Sequence, residues 1–90
     1  MKRSRFVIDL TKVTDLASLH ATLRAVLPLP ETYGDNLDAW YDVLTEYGST
    51  WTIDFRGTPP DGFREVCADA VAATPGLIIR FVLRPRRAKR

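Results

Sequence analysis

The chain is poor in the residues that most enzymes rely on. It has one cysteine and one histidine in 90 residues. The single thiol, Cys67, leaves no internal disulfide to form, and a reducing cytoplasm is its natural setting. The single histidine, His20, lies mid-helix by its neighbours and reads as a packed or capping side chain. No Walker A loop, GxGxxG, HExxH or CxxC pattern occurs. No apolar run nears the roughly 20 residues that span a bilayer. The basic start Met1–Arg5 is followed only by Phe6-Val7-Ile8 before Asp9, which does not read as an export signal. Lysine and arginine are absent between residues 31 and 55.

What is there belongs to a globular chain: 46% hydrophobic, 27% charged and 10% aromatic residues, too apolar for disorder. Its length is that of one small domain. We read residues 1–84 as that domain and 85–90 as a mobile basic tail. The net charge of +2 suggests a nucleic-acid partner until the charges are sorted by position. Residues 31–69 carry nine acids and two bases, a balance of −7, and the remainder eleven bases and two acids, a balance of +9. Such asymmetry says more about partners than the total does.

Phe6–Leu10 is a short branched apolar run and reads as a strand. Thr14 is the expected N-cap of a helix at about 15–27, where Leu16, Leu19, Leu23 and Val26 recur at helical spacing. Pro28 and Pro30 end it. Tyr33-Gly34-Asp35-Asn36 is turn-like, with Gly34 expected at positive φ. A second helix at about 36–46 starts from Asp35 or Asn36 as cap and places Leu37, Trp40 and Leu44 on one side. Thr50–Phe55 alternates, with Trp51, Ile53 and Phe55 on one face. Phe63–Thr74 is an Ala-rich helix stopped by Pro75-Gly76, and Leu77–Leu83 is the most strand-like segment of all. The order β-α-α-β-α-β implies crossover connections and therefore an α/β fold: a three-stranded parallel sheet flanked by helices.

The chemistry available is that of binding. Cys67 lies among small apolar residues on a helix, without a flanking cation to lower its pKa, and reads as an inert buried thiol. Asp35, Asp38 and Asp42 follow helical spacing rather than the alternate loop positions of a calcium site. No metal or cofactor is expected, and no enzymatic activity. The second helix is the informative feature. Asp38, Asp42 and Glu46 follow at i, i+4 and i+8, with Asp35 three residues earlier, a stripe of like charge that no cation nearby in sequence neutralises. Like-charged i, i+4 pairs weaken a helix, and the helix dipole favours acids only in the first turn. Tyr33 and Tyr41 flank the stripe. Tyrosines beside uncompensated charge are typical of protein-binding surfaces. An acidic helix repels nucleic acid and attracts a protein whose basic groups hold phosphate.

Residues 29–45, Leu-Pro-Glu-Thr-Tyr-Gly-Asp-Asn-Leu-Asp-Ala-Trp-Tyr-Asp-Val-Leu-Thr, resemble the signature of the barstar family, intracellular inhibitors of barnase-like ribonucleases, which runs roughly L-P-x-Y-Y-G-x-N-L-D-A-L-W-D-x-L. The likeness extends to Leu19-His20-Ala21-Thr22-Leu23 and to the last strand, so it covers most of the chain. It implies the fold just read and inhibition by occlusion, in a 1:1 complex with a basic, secreted, guanyl-specific ribonuclease. The second helix and the loop before it would plug the active site, with Asp42 standing in for a substrate phosphate and Asp38 adding a carboxylate one turn earlier. Tyr33, Gly34, Asn36 and Leu37 would line the loop and helix start, Tyr41 would take the family's tryptophan position, and Thr45 the next polar contact. The chain departs from the pattern at Thr32, which replaces a tyrosine, and at Glu46, which stands where a glycine is frequent. Both remain in the expected contact set. The family's late interface glutamate has only Glu65 and Asp69 as candidates here. The alternative reading is a nucleic-acid-binding module acting through Arg84, Arg86, Arg87, Lys89 and Arg90.

Overall fold

The computed structural model describes residues 3–82. The expected end of the domain at 84 and the basic tail at 85–90 lie outside the described residues. The elements follow the expected order: β1 (Ser4–Asp9), α1 (Leu16–Val26), α2 (Leu37–Tyr47), a 3-10 turn (Gly48–Thr50), β2 (Trp51–Arg56), α3 (Phe63–Ala73) and β3 (Ile78–Val82). The three strands form one parallel sheet in the order β1-β2-β3.

Local chemistry explains the boundaries. Asp15, not Thr14, caps α1. Its Oδ1 accepts the Ser18 amide at 2.9 Å, and Ser18 Oγ accepts the Asp15 amide at 3.1 Å. This reciprocal capping box outcompetes a lone threonine hydroxyl. Pro28 forces Leu27 into an extended conformation and ends the helix. Asn36 caps α2 by accepting the Ala39 amide at 2.7 Å. Gly34 does not take positive φ; Asp35 does, at 56°. Gly76, after α3, has φ of 94°, and a Cβ there would run into the Ser49 carbonyl.

All three helices pack on one face of the sheet. Phe6 and Ile8 of β1, Ile53 and Phe55 of β2, and Ile79 and Phe81 of β3 point into that core. At its centre Trp40 stacks on Phe63 at 5.6 Å, and Phe55 stacks on Phe81 at 5.2 Å. The Trp40 Nε1–H donates to Cys67 Sγ at 3.4 Å. Burial pushes the Cys67 thiol up to about 12, so it stays protonated at neutral pH.

The alternation expected of β2 is hidden by burial on both sides: Trp51 through Phe55 are all buried. On the helix-free face, Asp54 is covered by two arginines, Arg5 Nη2 at 2.8 Å and Arg80 Nε at 2.9 Å. The Arg5 hydrogen bond, with Arg80 adding to it, holds the Asp54 carboxyl below the usual carboxylate range.

Candidate functional site

Helix α2 has two characters. Trp40, Val43 and Leu44 are buried on one side, while Asp38, Asp42 and Glu46 are exposed on the other. Among the described residues, none of these three carboxylates is ion-paired. Asp35 differs. It precedes the helix, and its Oδ1 meets Arg24 Nε of α1 at 2.9 Å. The stripe is therefore three carboxylates long rather than four, because α1 packs beside the loop and supplies a cation that sequence proximity does not reveal.

The loop before α2 is built on α1. Tyr33 is 5% exposed, and its hydroxyl shares a 2.6 Å hydrogen bond with His20 Nδ1. Arg24 Nη2 donates to the Tyr33 carbonyl at 2.7 Å, and the guanidinium lies over the Tyr33 ring. One arginine thus grips the ring, the backbone and the neighbouring Asp35, holding Asp35 at the positive φ that non-glycine residues rarely adopt. Tyr33 shapes the loop from within rather than presenting its ring to solvent.

His20 is itself 2% exposed, and its Nε2 has no hydrogen-bond partner among the described residues. Burial lowers its pKa; Asp35 opposes this and Arg24 adds to it. The sign of the pH dependence follows. Above about pH 6.5 the ring is neutral both folded and unfolded. As pH falls below that value, the unfolded chain binds a proton that the folded one resists, so stability drops until the lower folded-state pKa is passed. Urea midpoints should fall between pH 7.5 and 5 in the parent protein. They should stay flatter over that range in His20→Asn, which keeps a polar atom for the Tyr33 hydroxyl. A parent protein with no such decline would refute the account.

Between the loop and the C-terminal half of α2 lies a groove of about 220 Å³. Five of the ten expected contact residues line it: Thr32, Tyr33 and Gly34 on the loop, Asp42 and Glu46 on the helix. The other five lie along α2 and its start. Asn36 is the cap, Leu37 and Tyr41 are half-buried against the core, Asp38 is exposed, and Thr45 Oγ1 donates to the carbonyls of Tyr41 and Asp42. The groove also includes Pro30, Ala39, Val43 and Tyr47. Tyr47, 47% exposed, escaped the sequence reading. Its signal was its place four residues after Val43, next to Glu46 and ahead of the helix-ending Gly48. Of the two candidates for a late acid, Glu65 lines a separate groove with Thr58, Pro60 and Arg64, and Asp69 is exposed on α3.

The arrangement can hold cations. Asp42 and Glu46 stand one turn apart on one wall, with aromatic and apolar surface beside them. Among the described residues, no helix is long and apolar enough to cross a membrane, and no three His, Cys, Asp or Glu side chains gather as a metal site. Compared with known protein families, residues 3–60 match the family model described as Barstar (barnase inhibitor). That span runs from β1 through the loop and α2 to the segment before α3.

Proposed function

Since the chain belongs to the barstar family, we propose that it inhibits a small, basic, secreted ribonuclease of the barnase type by seating α2 and its loop in the enzyme's active site. The observation that carries this reading is the unpaired stripe of Asp38, Asp42 and Glu46 beside the loop groove. Folding alone does not account for it, because like charges at i, i+4 weaken the helix. An active site built to bind phosphate offers the complementary cations, and Asp42, the middle carboxylate, takes the place of a substrate phosphate. The inhibitor works by occlusion, needs no cofactor and performs no reaction. It acts in the cytoplasm as immunity to the cell's own exported enzyme. Charge steers the encounter, so association is fast and slows as salt rises.

Titrating the protein into a guanyl-specific ribonuclease assay tests this directly. Activity should fall linearly to near zero at one equivalent. Labelled RNA incubated with the protein alone should stay intact. Full ribonuclease activity in the presence of excess protein would remove the reading.

A further inference from the structure

Parallel sheets are ordinarily covered on both faces; this one is covered by helices on one face only. The other face is a grid of Arg5, Val7 and Asp9 on β1, Thr52, Asp54 and Arg56 on β2, and Ile78, Arg80 and Val82 on β3. Val7, Ile78 and Val82 are 46%, 42% and 47% exposed. Arg3, just before β1, joins the same face: its Nη1 donates to the Trp51 and Gly76 carbonyls and to Thr52 Oγ1. Four arginines thus share the face with two aspartates: Asp54, held by Arg5 and Arg80, and Asp9, which accepts the Thr11 amide at 2.9 Å.

That pairing makes the arginines suited to a ligand. Arg5 contacts Asp54 through Nη2 and Arg80 through Nε. Both side chains remain more than half exposed. A guanidinium carries five N–H donors, so each retains most of its fork. Arg3 is fixed through one nitrogen in the same way. Three guanidiniums are therefore held in position before any ligand arrives, which lowers the ordering cost of using them. The planar fork matches phosphate. Val82, on the same face, pairs with Arg56 across the sheet.

We propose that the helix-free face of the sheet is a second binding surface, which takes the phosphate backbone of single-stranded RNA. The positive balance of the face opposes a second copy docking back to back. The open grid encloses no small anion, whereas a polyanion bridges several arginines at once and lays its bases on Val7, Ile78 and Val82. The face lies across the sheet from the helix layer that carries α2, so RNA and a ribonuclease can be held together. This surface does not depend on the identity of the α2 partner.

The test uses the full chain and a fluorescein-labelled single-stranded RNA followed by anisotropy. Binding is expected in the range of about 10⁻⁴–10⁻⁶ M, weakening steadily as salt rises. The double variant Val7→Glu with Ile78→Glu adds charge at exposed positions and leaves the Asp54 pairs in place. It should weaken RNA binding by about tenfold or more, with an unchanged circular dichroism spectrum. Arg86→Glu with Arg87→Glu, outside the described residues, is the control and should leave most of the binding in place. If only the tail variant affects RNA, the sheet face is not the site. Absence of salt-dependent binding in the parent protein overturns the proposal, and so does equal affinity for polyglutamate or for phosphatidylserine vesicles.

Discussion

Asp42→Ala is expected to weaken inhibition of the cognate ribonuclease by about a hundredfold or more, the scale of an interface hot spot. Asp42 has a like charge one turn away on each side and forms one wall of the groove, so removing it takes the centre out of the stripe. It also leaves the enzyme's phosphate-site cations facing a methyl group, and an unmatched buried charge costs more than the lost contact alone. Asp61→Ala is the control. It removes the same charge from an exposed position in the loop between β2 and α3, outside the stripe and the expected contact set, and should leave inhibition nearly unchanged. Inhibition constants and stopped-flow association rates for the two variants decide the matter, and equal effects would refute the assignment. A further sign separates binding from folding. Because Asp42 is flanked by like charges, Asp42→Asn should leave the free protein as stable as the parent or slightly more so, while still binding poorly.

Trp40→Ala carries the largest expected cost to stability, about 3–5 kcal/mol. Trp40 is fully buried, stacks on Phe63, meets Phe55 edge-on at 6.4 Å and donates to Cys67. Few side chains could fill the space it leaves, because α2 and α3 are held apart by the same aromatic cluster. A small domain has a total stability of only about 5–15 kcal/mol, so urea unfolding should show a large drop in midpoint, or no folded baseline at all. Trp40→Phe keeps a ring against Phe63 and loses the N–H, and should fall between the two. A Trp40→Ala midpoint close to the parent's would mean that α2 is not anchored as described.

Much of this was legible in the residues. Leu37, Trp40 and Leu44 mark α2, Asn36 was one of its two expected caps, and strands separated by helices dictate a parallel sheet. The signature around Asp38 and Asp42 pointed to the family that residues 3–60 match. What stayed hidden depends on contacts between elements. Arg24 and Asp35 are eleven positions apart, and only the packing of α1 beside the loop makes them partners. Asp54 reads as an ordinary solvent-facing strand residue until Arg5 and Arg80 close over it from the neighbouring strands. The shift of positive φ from Gly34 to Asp35 follows from the same pairing: a glycine is the usual choice by propensity, but an arginine grip on the next residue overrides it. Tyr33 reads as surface by its motif and is buried because His20 waits for its hydroxyl.

The grip of α1 on the loop has a consequence for recognition. A flexible loop surrenders conformational entropy when it docks, which weakens every contact it makes. Here the loop's freedom was given up during folding, when Arg24 seized Tyr33 and Asp35. If the loop docks as proposed, little would remain to be lost at the encounter, because it is already ordered by these contacts. The residues that would favour such a capture therefore include two, His20 and Arg24, that belong to another helix and line none of the groove.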